Sequence, residues 1–254
     1  MTNVSVLEFM GIEPDNEPFP RSLIVVWALT FGTLALAFPF YSFVVFGLGM
    51  DRGVVADVFQ TQIAICYWLG PLAPLLPLKA LKHWSPLRRI HWVVIPYLIS
   101  SLLTHLVWEG LWVFLHEAIS EGRNEMWAYT WWAYIDGGDL RYYKPGIDFV
   151  MFETLSLLNG VVGTIGLVLL FRSKFQNLLG TLMVFTVGVV ETALTWYYYG
   201  TEAMNGFANV NPTFMDLGVK FIILNSPWLV FPWFVFYWCY RLIQLQMRDP
   251  TQTG

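Results

Sequence analysis

The sequence predicts an all-α integral membrane protein, a polytopic helix bundle of about six transmembrane helices. Three observations predict it. Of 254 residues, 56% are hydrophobic and only 13% charged, with a mean hydropathy of +0.54; an ordinary soluble domain is roughly a quarter charged. Apolar runs of bilayer-crossing length, about 20 residues, recur along the chain. No repeat, linker or low-complexity tract divides it, so 1–254 reads as a single membrane domain behind a polar tail over 1–22.

The tail holds Glu13, Asp15, Glu17 and Arg21. It lacks the basic start and short apolar core of a secretory signal, so the first apolar run is expected to stay as a span. Spans are expected near 23–48, 57–79, 90–115, 148–171, 178–199 and 218–242. The second ends among Pro71, Pro74 and Pro77. Prolines persist in a membrane helix only where the freed carbonyls find other donors, so this span should kink, or unwind near its exit.

Lys79, Lys82, Arg88, Arg89, Arg172 and Lys174 fall in the second and fourth loops, and Arg21, Arg241 and Arg248 flank the two ends. Arg52, Arg123, Arg141, Lys144 and Lys220 fall on the opposite side. Nine against five favours both termini in the cytoplasm under the positive-inside rule. The third loop, about 116–147, is the only long one, a length that suits a lid or a binding element. Its Trp127, Trp131, Trp132 and Tyr134 fit an interfacial aromatic belt. With Asp139, Arg141 and Tyr142 they could instead cover the mouth of a cavity.

With a net charge of −4 and no basic tract, nothing points to nucleic acid, and no such partner is expected. Cys66 and Cys239 both sit in apolar segments, where they behave as small hydrophobes rather than as a disulfide or zinc site.

Ionisable groups are costly at membrane depth and usually mark a relay, a pathway or a reaction site. His105 and Glu109, in S-L-L-T-H-L-V-W-E-G-L-W, stand four residues apart and share a helix face. Glu153, in D-F-V-M-F-E-T-L-S, has Ser156 three residues on, within hydrogen-bonding reach. A glutamic acid that keeps its proton in a low-dielectric site can act as general acid, while a second, ionised or relayed through histidine, acts as base. The plainer alternative is a carboxylate–histidine contact that pins two helices together. Zinc would need more ligands than these. Asn225 and Trp228, in L-N-S-P-W-L-V-F-P, lie one turn apart. An asparagine can hold a carboxyl or a water, and an indole face can stabilise a cation, although each residue alone also fits packing. Glu191, in V-V-E-T-A-L, is a further intramembrane acid for which pairing with a neighbouring span and catalysis are equally open.

H-L-V-W-E-G-L-W-V, D-L-R-Y, F-E-T-L-S and N-S-P-W-L-V-F-P follow one another along the chain. In this ordered set, over about residues 88–242, the chain resembles the emopamil-binding protein family, the sterol Δ8–Δ7 isomerases of the endoplasmic reticulum that share the EXPERA domain. The resemblance implies that His105, Glu109 and Glu153 are catalytic. It puts Ser156 where the family carries threonine, and Asn225, Trp228 and Tyr142 in the substrate pocket. It also implies an acid that protonates the alkene of a polycyclic lipid and a base that removes a proton from the adjacent carbon, with no cofactor and no metal.

Departures accompany it. The family's isomerases have five spans, so the first apolar run is an extra one, and the G-G-D-L-R-Y loop is one residue longer. The substrate expected is therefore a sterol-like or terpenoid lipid, including a triterpenoid, steroid or meroterpenoid intermediate of a specialised pathway. A non-enzymatic sterol or amphiphile binder is the alternative. A transporter is disfavoured, because neither an inverted repeat nor paired broken helices are visible. The oligomeric state is open, a homodimer among the options.

Overall fold

The computed structural model describes residues 19–247; Glu13, Asp15, Glu17 and Arg248 lie outside them. Every regular element among the described residues is helical. Five helices are long and apolar enough to cross a bilayer: α1 (Arg21–Phe46), α3 (Pro86–Glu121), α5 (Ile147–Arg172), α6 (Leu178–Met204) and α7 (Phe214–Gln246). Between them come α2 (Arg52–Leu72) and the short α4 (Tyr129–Ile135). The chain is a multi-pass helical membrane protein.

The second expected span is α2, which has the length, at 21 residues, but is not among the five apolar helices. Arg52, Asp57, Gln60, Thr61 and Gln62 dilute its apolar character. Asp51 starts it by accepting the Val54 N–H at 2.9 Å, an ordinary N-cap. Its exit unwinds as the prolines dictate. After Leu72 the chain runs through two 3-10 turns, Ala73–Leu75 and Lys79–Leu81. Arg89 donates to the Pro74 carbonyl at 2.8 Å and so supplies one of the missing donors.

Ser85 caps α3 by accepting the Arg88 N–H, and Pro86 takes the first helical position, where its lack of an N–H costs nothing. The helix then continues to Glu121, so residues 116–121 are helical rather than part of the third loop. The remaining connection holds α4 and two further 3-10 turns, Met126–Ala128 and Leu140–Tyr142. Just beyond α4, Gly137 adopts φ +87°, a left-handed conformation that favours glycine.

Without a hydrophobic driving force between helices in lipid, close packing depends on small side chains. The buried face of α5 carries Ser156, Asn159, Gly160, Gly163 and Gly166, which let it nest between α3 and α6. A Cβ at Gly166 would stand 3.1 Å from the Gly180 carbonyl of α6. The last helix, α7, packs against α6 and the first half of α3. In contrast, α1 packs along α2 and approaches the start of α3 through Trp27 and Trp92, whose rings are 5.7 Å apart. Further along, a cavity fills the space between α1 and α3.

Candidate active site

Midway along α3 the helix widens into a π segment, Thr104–Glu109, which contains both His105 and Glu109. Such segments occur often at functional sites. The geometry explains its use here. Tyr97, Ser101, His105 and Glu109 recur every four residues. In an α-helix each four-residue step over-rotates by about 40°. A π segment takes more residues per turn and swings the stripe back, so the four side chains form one polar edge.

His105 is held at both ring nitrogens. Its Nδ1 lies 2.5 Å from Glu109 Oε2, and its Nε2 lies 3.2 Å from Glu191 Oε1 and 3.2 Å from Ser101 Oγ. Glu191, midway along α6 and fully buried, accepts the Ser101 hydroxyl at 2.5 Å and the Tyr97 phenol at 2.7 Å. The Trp228 indole N–H donates to Ser101 Oγ at 2.9 Å, which ties α7 to the same cluster. Glu191, which the sequence leaves without a role, therefore belongs to this site, together with Ser101 and Tyr97. The four-residue spacing could have revealed the latter two, but a bare acid in α6 points to no partner.

Glu153, on α5, is buried across the chamber. The Tyr142 phenol donates to its Oε1 at 2.5 Å, while its Oε2 has no hydrogen-bond partner among the described residues. Burial, then the adjacent Glu153 carboxyl, hold the Tyr142 phenol well above the ordinary tyrosine range, so it stays an O–H donor. Ser156 lines the same chamber but does not bond Glu153, contrary to the expectation from its spacing. The Asn225 amide is likewise committed elsewhere. It donates to the Phe221 carbonyl at 2.7 Å and to Tyr134 Oη at 3.0 Å, filling the helix break ahead of Pro227 rather than holding a carboxyl.

His105, Glu109, Glu153, Ser156, Glu191, Asn225 and Trp228 line one small crypt of about 50 Å³. The wide cavity between α1 and α3, of about 750 Å³, adjoins the crypt and shares four lining residues with it, Glu109, Tyr142, Asn225 and Trp228. The wide cavity is walled by apolar and aromatic side chains, and its volume falls in the usual range for small-molecule sites, roughly 300–1,000 Å³. Ile99, Leu103, Val107 and Leu111 of α3 line it and are exposed.

The third loop divides between its two expected roles. Trp127, Trp131, Tyr134 and Tyr142 line the wide cavity. Trp127 is exposed, whereas Trp131, Trp132 and Tyr134 are buried and form no surface belt. Asp139 and Arg141 do not reach the cavity mouth. Arg141 pairs with Asp139 at 2.7 Å and Glu202 at 3.5 Å, stacks over Tyr198, and locks the loop onto α6. Burial opposes the Arg141 charge, but Asp139, Tyr198 and Glu202 outweigh it and push its proton affinity upward. Comparisons with protein-family models, curated proteins and solved structures found no match to this chain, and its function is read from the chemistry of the crypt and the cavity behind it.

Proposed function

We propose that the protein is a cofactor-independent isomerase that moves a carbon–carbon double bond within a sterol-like or terpenoid lipid. One observation carries this reading: an unpartnered, buried Glu153 carboxyl oxygen and the His105–Glu109 pair line a single crypt at the side of a lipid-sized apolar cavity. The ordered motifs resembling emopamil-binding proteins support it from the sequence.

The hydrogen bonds divide the roles. An ionised Glu153 would leave a bare, buried oxygen with no donor, an expensive arrangement. Carrying its proton on Oε2, Glu153 presents an acid to the crypt, while Tyr142 satisfies Oε1. Glu109, facing the imidazole, is the base. In the forward step Glu153 Oε2–H gives its proton to one alkene carbon, and the π electrons form the new C–H bond. A carbocation is left at the other carbon. Glu109 then takes a proton from the carbon beside the cation, and the released C–H electrons close the new double bond. One proton enters and one leaves, so the composition of the lipid is unchanged; between turnovers Glu109 gives its proton to water and Glu153 regains one from water, which resets the site. Aromatic faces of Trp228 and Trp108, on the walls, stabilise the positive charge.

In this reading α2 is the sixth span. Its 21 residues reach about 31 Å, matching a hydrocarbon core of about 30 Å. Its polar Gln60 is buried and faces the wide cavity. Six crossings would put both termini on one side, the loop charges favour the cytoplasmic one, and the resemblance favours the endoplasmic reticulum.

Incubation of the purified protein with a Δ8-sterol in heavy water tests the function. An isomerase incorporates solvent deuterium into recovered sterol, and Glu153→Gln abolishes the incorporation. Tight binding of sterols and terpenoid alkenes without label from any of them would instead identify an amphiphile-binding protein.

A further inference from the structure

Glu191 has no part in the proton exchange just described, yet, like Glu153, it is almost fully buried. The donors around it fix the protons. The indole of Trp228 can only donate, and it donates to Ser101 Oγ. The Ser101 hydroxyl proton is thereby free to point along its 2.5 Å contact to Glu191 Oε1. The Tyr97 phenol donates to Glu191 Oε2 at 2.7 Å. Both oxygens of Glu191 are thus served by donors, the environment of an ionised carboxylate. His105 Nε2 then faces two oxygens that offer it lone pairs, Glu191 Oε1 and Ser101 Oγ, each at 3.2 Å. A bare ring nitrogen there would meet only like charge, so Nε2 carries hydrogen. At the other end, Nδ1 points at Glu109. The remaining titratable groups lining the crypt are Glu153, Tyr142 and Tyr198; Tyr142 donates to Glu153 and Tyr198 to Asp139, and none of the three bonds the imidazole.

We propose that Glu191 is a positioning residue whose carboxylate, set against Nε2, keeps both nitrogens of His105 protonated and leaves the crypt with one negative charge in excess. Glu109 and Glu191 then carry two negative charges against one imidazolium, with Glu153 neutral. A neutral imidazole with a single carboxylate partner would hold Glu109 by a plain hydrogen bond. The imidazolium, balanced by Glu191, holds it as an ion pair, and the imidazolium keeps a counter-charge even after Glu109 has taken up a proton. On the isomerase reading, on which this role in turnover rests, the surplus negative charge faces the carbocation at the moment it forms.

The ring protons can be read directly, without a substrate. The chain has four histidines, so nitrogen-15 labelling of histidine in nanodisc-embedded protein, with His105→Asn to identify the signal, resolves this ring. In wild type at neutral pH both His105 nitrogens should give the N–H signature of an imidazolium. Glu191→Gln keeps the shape, and its amide can donate to Nε2, so the ring should become neutral with one bare nitrogen. Ser101→Ala removes the other Nε2 neighbour without removing charge and should retain the imidazolium. A neutral ring in wild type, an imidazolium that survives Glu191→Gln, or its equal loss in Ser101→Ala would each overturn the proposal. If the protein turns over a sterol, Glu191→Gln should lower kcat about tenfold or more with KM little changed. Absence of turnover in wild type would sink the isomerase reading and leave the ring measurement decisive for Glu191.

Discussion

Gly160 of α5 lies so close to His105 that a Cβ at position 160 would stand 2.7 Å from the histidine Cβ. The neighbour there is the root of a side chain, not a flexible tip, so the two helices would have to separate. Gly160→Ala should cost about 1–3 kcal/mol of stability, as overpacking does, and Gly160→Val more. Thermal unfolding in detergent checks the stability. Because the shift falls at the crypt, turnover should drop in Gly160→Ala even at temperatures where the variant is fully folded.

Tyr142→Phe strips Glu153 of its single donor and leaves both carboxyl oxygens bare. The expected penalty is about 1–3 kcal/mol, the ordinary cost of an unsatisfied buried polar group. Replacing Glu153 by Leu, which has no acceptor, in the same background tests the coupling. If the phenol acts through Glu153, the double variant should be no less stable than Glu153→Leu alone, as a double-mutant cycle of unfolding would show.

Arg141→Ala leaves Asp139 and Glu202, both almost fully buried, without their cation. Breaking such a pair from one side costs about 3–5 kcal/mol. The loss should be local at first: limited proteolysis should cut within residues 122–146 before the helices are attacked. Arg141→Lys, lacking the planar fork that meets Asp139 at two nitrogens, should rescue only part of the loss.

Val107 lines the wide cavity and is exposed. Val107→Trp should narrow the cavity there without touching the crypt. Uptake of a fluorescent sterol from vesicles should slow several-fold. The His105 ring signals should be unchanged, which separates access from chemistry.

Much of this was legible in the letters. The apolar runs located all five membrane-length helices, because burial in lipid leaves a strong compositional mark. The proline cluster foretold the unwinding after α2. His105, Glu109 and Glu153 stood out because charge at membrane depth is rare. What the letters hid were relations between helices. Nothing in V-V-E-T-A-L tells that Glu191 points at the far nitrogen of His105, since that depends on the rotation of α6 against α3. Asn225 looked like a ligand for a carboxyl, but the broken helix before Pro227 claims its amide first. The hydrophobic rings of the third loop could not be sorted into surface and interior by composition, because tryptophan serves both.

On the reading that an occupant reaches the cavity from the bilayer past Ile99, Leu103, Val107 and Leu111, its relevant concentration scale is its mole fraction in the lipid. Adding more vesicles at fixed total lipophile would then dilute it in two dimensions and weaken apparent saturation, although the molarities of protein and lipophile stayed the same.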